Sequence, residues 1–264
     1  MVRPADPDTR SVVRRVVQLL DALAADDAEL SIRDLAERTG IPRSSVHRFV
    51  GELVATGLAE RGPAGVRLGT KLFEYGAAAP TSRTLRDAAA PFLHTLYELT
   101  SLTVNLAVRD GASILYLDKI AARRTRVPHS RPGGRGAVHA TALGKVLLAF
   151  SGTAPTDLAF ADRGLPALTE HTITSAARLS AELAAVRRAG VAYDVEESHQ
   201  GLFCVAAPIR DPAGAAVAAV SVTGATALTQ AERYSTTVMA TARAIEHELT
   251  RRRRRRHPRP ATRS

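Results

Sequence analysis

The stretch from Ser31 to Thr56 leaves the chain few choices of local structure. Ser31 followed by Asp34 has the form of a capping box, in which two side chains satisfy the backbone N–H groups left open at a helix start. Ile32, Leu35 and Ala36 supply the apolar side of a short helix, and Gly40 provides the left-handed exit that other residues resist. Only Thr39-Gly40-Ile41 separates this helix from another, whose first turn holds Pro42, where proline loses no hydrogen bond. At about 100° per residue, the second helix turns Val46, Phe49, Val50 and Leu53 to one side and Ser44, His47, Arg48 and Gly51 to the other.

The flanking sequence completes a recognisable unit. Upstream, Val12, Val13, Val16, Val17, Leu19, Leu20 and Leu23 recur at helical spacing. Downstream, Leu58 to Arg61 and Val66 to Gly69 surround Gly62-Pro63-Ala64-Gly65, which reads as two short strands around a tight turn. Three helices followed by a hairpin, with donors gathered on the outer face of the third helix, describe a winged helix-turn-helix over residues 11–69. Arg43, Ser44, Ser45, His47 and Arg48 are the candidates for reaching bases and phosphates of a double-stranded DNA operator, with Arg61 and Arg67 as backbone contacts. Arg48 suits base reading because a guanidinium pairs with both acceptors of guanine, and a phosphate contact is the equal alternative. A plain three-helix bundle with a solvated face competes with any one of these helices taken singly, but not with the ordered set.

Charge does not carry this reading. Of the ten net positive charges, eight lie after Thr250, in Arg251 to Arg256, Arg259 and Arg263, while residues 1–80 hold as many acids as bases. Residues 251–264 are expected to be a disordered arginine-rich tail, which would add sequence-independent DNA affinity through counterion release or do nothing. Residues 1–10 are expected to be a flexible lead-in.

Residues 70–80 read as a linker helix, and from residue 81 the pattern is mixed. Leu85–Leu99, Thr141–Phe150, Ser175–Gly190 and Thr229–Leu249 have helical character; Thr103–Val108, Ile114–Leu117, Val191–Val195, Phe203–Ile209 and Ala216–Val222 read as strands. Ala121–Gly136, rich in Arg, Pro and Gly, reads as a mobile loop. The expected class is α+β, an antiparallel sheet with flanking helices over residues 81–250.

The chain resembles the IclR family of bacterial transcription regulators from about Ser11 to Leu249. The likeness rests on Ile41-Pro42-Arg43-Ser44-Ser45-Val46-His47-Arg48-Phe49 and Val66-Arg67-Leu68-Gly69 in the first part. In the second part it rests on His139-Ala140-Thr141-Ala142-Leu143-Gly144-Lys145-Val146-Leu147-Leu148-Ala149, and on Asp194-Val195-Glu196-Glu197 leading through Gly201 to Cys204-Val205-Ala206-Ala207-Pro208. The resemblance implies a GAF-like C-terminal domain that binds a small metabolite effector, and a homodimer or homotetramer. Carried over by resemblance, the effector-binding residues are Val138, Ala140, Asp194, Leu202, Cys204, Ser221 and Thr223. Each has a plainer reading: Cys204 as a small hydrophobe in an apolar strand, Ser221 and Thr223 as solvent-facing positions. One departure is Val66, where the family's wing often has an aromatic.

Catalysis is not expected. Cys204 and His199 lack a third orienting group, Gly144-Lys145 lacks the leading glycine of a phosphate loop, and no nucleophile-elbow or zinc-protease motif occurs. No cofactor is expected, the scattered histidines lack metal-ligand spacing, and one cysteine suits a reducing compartment. Without an apolar run of roughly 18 residues or a signal peptide, the expected location is the cytoplasm and no membrane partner is foreseen. The resulting expectation is a ligand-responsive transcription regulator, repression preferred to activation. A metabolite sensor whose first domain is a protein interaction module is the alternative, and a nonspecific nucleic-acid packager driven by the tail is a third reading.

Overall fold

The computed structural model describes residues 11–25, 28–122, 130–151, 164–225 and 231–256. The expected lead-in, residues 123–129 of the Arg/Pro/Gly loop and the last eight residues lie outside them. The chain divides into two compact units, one ending at Pro80 and the other starting at Thr81.

In the first unit, α1 (Val12–Ala24), α2 (Ile32–Thr39) and α3 (Arg43–Ala55) precede a two-stranded antiparallel hairpin, β1 (Ala59–Arg61) and β2 (Val66–Leu68), and then α4 (Lys71–Ala78). The Ser31 hydroxyl accepts from the Asp34 amide at 3.1 Å while the Asp34 carboxylate accepts from the Ser31 amide at 3.0 Å, so the capping box closes. Gly40 takes φ 68° and its N–H returns to the Ala36 carbonyl, ending α2 where the next helix must begin. Leu19, Leu23, Leu35, Val46, Phe49, Val50, Leu53 and Val66 form one core. Val66 is only 1 % exposed and exchanges two 2.9 Å backbone hydrogen bonds with Leu30. The hairpin therefore packs through a β-branched side chain without the aromatic that the resemblance leads one to expect.

In the second unit six strands make one antiparallel sheet in the order β5-β4-β3-β8-β7-β6. They are β3 (Thr103–Asp110), β4 (Ser113–Ile120), β5 (Arg135–Ala137), β6 (Ala192–Val195), β7 (Leu202–Arg210) and β8 (Ala216–Ala225). The helices are α5 (Pro80–Thr100), α6 (Ala142–Ala149), α7 (Ala176–Ala189) and α8 (Ser235–Arg256). Val104, Leu106, Val205, Val220 and Val222 pack with Leu93 and Leu96 of α5 and Val238 and Ile245 of α8. The other face sets Ala107, Ala206 and Ala219 against Val146 and Leu147 of α6 and Leu183 of α7. Within the same layer, Gly144 of α6 lies against the backbone of the segment after β5, where a Cβ would lie 2.1 Å from the Val138 carbonyl oxygen. Among the described residues no helix is long and apolar enough to cross a membrane.

Two expectations need correction. The loop expected to run to Gly136 contains β5, which adds an edge strand to β4 with Ser113 opposite Ala137. The arginine run is not disordered from its start, because α8 continues to Arg256. Arg251 and Arg252 both pair with Glu248 at 2.7 Å, and Arg252 donates to the Asp87 carbonyl of α5 at 3.0 Å. Cations at a helix C-terminus also oppose the helix dipole.

Candidate functional site

The first site is the outer face of α3. Burying Val46, Phe49, Val50 and Leu53 leaves Arg43, Ser44, His47 and Arg48 exposed and Ser45 half-buried, on the side opposite the core. The Arg48 guanidinium rests 4.9 Å from the centre of the Phe49 ring, and neither Arg43 nor Arg48 has a carboxylate partner among the described residues. Both are thus available to an anion. The hairpin behaves differently at its two arginines. Arg61 is exposed and, among the described residues, has no carboxylate ion-pair partner, whereas Arg67 is held by Glu60 at 3.3 Å and Glu29 at 3.8 Å. Glu29 also accepts from the Ala64 amide at 2.7 Å at the tip. Arg67, expected as a phosphate contact, braces the hairpin through these two exposed ion pairs, so a phosphate would compete with Glu60 and Glu29 for it.

The second site is a cavity of about 220 Å³ on the α6 side of the sheet. Because alternate residues of a strand share a face, the registers Asn105 opposite Ser221, Cys204 opposite Thr223, and Asp194 opposite Cys204 lay one polar row across four strands. Asp194, Leu202, Cys204 and Thr223 line the cavity, as do Asn105, Tyr116, Arg135, Thr141, Leu143, Ser198 and His199. Val138 and Ala140 do not: both are fully buried in core packing. Ser221 is at 0 % exposure on the same inward face as Thr223, so neither faces solvent, and it too falls outside the lining.

Hydrogen bonding within the row is incomplete. The Asn105 amide nitrogen donates to Thr223 at 3.4 Å, and the Thr223 hydroxyl donates to the Cys204 sulfur at 3.3 Å. The Asn105 side-chain oxygen, in a residue 2 % exposed, has no partner among the described residues. A buried acceptor left unpaired costs about 1–3 kcal/mol, a cost that a ligand donor would remove. Burial pushes the Cys204 thiol up to about 12, so at neutral pH it stays a thiol and not a thiolate nucleophile.

The cavity wall is shaped by a turn. The Asp194 carboxylate accepts from the Glu197 amide at 2.8 Å, the Ser198 amide at 3.1 Å and the Ser198 hydroxyl at 2.5 Å. Burial nevertheless raises its pKa above the ordinary value. Glu196 takes φ 60°, and the Thr169 and Thr172 hydroxyls donate to the carbonyls of Glu196 and Glu197 at 2.6 and 2.7 Å. Behind the turn, Lys145 of α6 is only 1 % exposed and reaches Glu197 at 2.5 Å and Glu182 at 3.3 Å. Sequence reasoning missed Asn105 and Lys145 as structural keys. The available signal was an amide within an otherwise apolar strand and one charge within an otherwise apolar helix.

Both units match known protein families. The IclR helix-turn-helix domain family matches residues 12–63, and the family of bacterial transcriptional regulator IclR C-terminal domains matches residues 77–247. The HTH-type transcriptional regulator XynR of Escherichia coli (strain K12) is 34% identical over 211 residues, 79% of this chain and 84% of the relative. The transcriptional repressor IclR of the same organism is 30% identical over 225 residues, 84% of this chain and 82% of the relative. A crystal structure of an IclR homolog from Microbacterium hydrocarbonoxydans, complexed with 4-hydroxybenzoate, superposes with a TM-score of 0.83 at 29% identity. It covers 91% of this chain and 100% of its own.

Proposed function

The chain belongs to the IclR family of bacterial transcription regulators, and on that footing we propose that it is an operator-specific repressor released or tightened by a small metabolite. The observation that carries this reading is the cavity with its unpaired Asn105 oxygen, which gives a polar row across four strands a use that packing alone does not. A regulator with a helix-turn-helix domain and a C-terminal ligand-binding domain needs a response element, and the cavity supplies one.

At about 220 Å³ the space lies below the roughly 300–1,000 Å³ of pockets for drug-sized molecules, which favours a small metabolite. The homolog from Microbacterium hydrocarbonoxydans is complexed with 4-hydroxybenzoate. A ligand of that size carrying a hydroxyl donor would satisfy the Asn105 oxygen. Arg135, which lines the cavity and pairs with Asp110 at 2.5 Å, offers a cation to an acidic group on the ligand.

On the DNA side, α3 enters the major groove with Ser44, His47 and Arg48 toward base edges, Arg43 and Ser45 near the backbone, and Arg61 on a phosphate outside the groove. With as many acids as bases in residues 1–80, one copy of the DNA-binding domain by itself has little long-range attraction for DNA. Useful affinity then requires two copies on one operator, as a homodimer or homotetramer. Ligand control follows if the metabolite binds one arrangement of the copies better than another.

The test is a titration of the full chain on a duplex from its own upstream region and on a scrambled duplex at one fixed salt concentration, with and without candidate metabolites. Preference for the upstream duplex by about a hundredfold or more, altered by one metabolite, is expected. Equal affinity for both duplexes would overturn operator recognition.

A further inference from the structure

The second unit holds a separate depression of about 210 Å³, bounded by the last turn of α7, the end of β7 and the middle of α8. Four arginines line it: Arg187 and Arg188 from α7, Arg210 from β7 and Arg243 from α8. Leu202 and Cys204 of β7 belong to the effector cavity, and Ala207, Pro208 and Arg210 further along the strand belong to this depression, so the two sites lie roughly 10–26 Å apart along β7. We propose that this depression is a second ligand site, which takes a phosphate-bearing small molecule.

Two guanidinium groups are held in place through one nitrogen each. Arg187 Nε donates to the Ala149 carbonyl at 2.6 Å, and Arg210 Nε to Glu246 at 3.1 Å, with the Arg210 guanidinium 5.8 Å from the centre of the Phe150 ring. In these contacts the terminal nitrogens remain free, and a fork already oriented loses less entropy when it grips an anion. Glu246 is the one carboxylate that touches any of the four among the described residues, so three of the arginines have no acidic partner.

Like charges gathered around one concavity repel, and structure alone does not require them there. Arginines in the last turn of α7 would offset its exposed carbonyls, which accounts for Arg187 and Arg188. Arg210 is tied to Glu246, and neither reason accounts for Arg243, which reaches the same space from α8. A phosphate group offers several charged oxygens to planar forks and matches a multi-arginine site better than a single carboxylate does. The size suits a phosphate or diphosphate on a small body, and the concavity suits a small molecule better than the convex backbone of a duplex.

The experiment is calorimetric titration of the full chain with inorganic pyrophosphate at low ionic strength, with citrate as a carboxylate control and the Arg188→Ala/Arg243→Ala variant alongside. Both side chains are exposed, so the variant should melt as the parent does. Expected are saturable binding at one site per chain, weaker binding of citrate, and a loss of about tenfold or more per arginine removed. The single Arg188→Gln and Arg243→Gln variants carry the same expectation if the double variant does not fold. Absence of saturable binding, equal binding of citrate, or unchanged affinity in the variants would overturn the proposal. So would a variant that loses affinity for nonspecific duplex while pyrophosphate does not bind, which would make the depression a DNA contact.

Discussion

Replacing Lys145 with methionine removes one charge while keeping an unbranched side chain of similar length. In the folded protein Lys145 is 1 % exposed, and its ammonium sits 2.5 Å from Glu197, itself largely buried at 12 % side-chain exposure. Glu182 at 3.3 Å is about one-third exposed and can turn to solvent. The loss therefore falls on Glu197, whose second carboxylate oxygen already lacks a partner. Breaking a buried pair in this way costs about 3–5 kcal/mol, more than the pair itself contributes, because a charge is left behind in a poor solvent. Burial already raises the Glu197 pKa, with Lys145 opposing the shift, so the variant must raise it further. An acid with a raised folded pKa takes up its proton more readily when folded, so the penalty is largest above the folded pKa and shrinks as the pH falls through it. Urea denaturation of the second unit's transition at pH 8 and pH 5 should show about 3–5 kcal/mol lost at the higher pH and clearly less at the lower. Adding Glu197→Gln should recover most of the loss, since it removes the stranded charge. A single variant within 1 kcal/mol of the parent at pH 8, or a double variant no better than the single, would refute this account of the turn behind the cavity.

Three further outcomes follow from the geometry. Arg48→Ala should leave the fold intact and weaken operator binding by about 1–3 kcal/mol if the residue reads a base, measured by titration at fixed salt; an equal loss on scrambled duplex would mark it as a phosphate contact instead. Gly65→Ala places a Cβ 2.5 Å from the Leu30 carbonyl oxygen, so the hairpin must shift, with about 1–3 kcal/mol lost from the first unit's thermal transition and weaker DNA binding; parental melting would show that the hairpin yields freely. Cys204, with its thiol pushed up to about 12 and buried in the sheet, should resist alkylation at pH 8 in the native chain and react on unfolding; rapid labelling of folded protein would contradict the burial.

The helix-turn-helix was readable because what specifies it is local. A capping box spans four residues, Gly40 acts through its own φ, and the buried stripe of α3 repeats within one helix. Strand positions from Thr103 onward were readable for a similar reason, but their ends were not. β5 was hidden because its three residues gain their strand character only from pairing with β4. The arginine run read as disordered because its supports, Glu248 and the Asp87 carbonyl, become neighbours only once α8 has formed and packed on α5.

At the cavity the division is sharper. The family resemblance marked Asp194, Leu202, Cys204 and Thr223, which lie on the adjacent strands β6, β7 and β8. It did not mark Asn105, Tyr116, Arg135 or Thr141, because strand alternation defines two faces without saying which of them a distant segment will cover. Register across β3 and β8 brings Asn105 to Thr223, more than a hundred residues later in the chain. The same holds for charge. The chain carries its arginines wherever composition puts them, but only packing decides that Arg67 meets Glu29 and Glu60 while Arg48 meets solvent. Local rules determine which elements form and which side of each is apolar. Tertiary contacts decide which polar groups are buried, which of those remain unpaired, and so where a ligand gains most by binding.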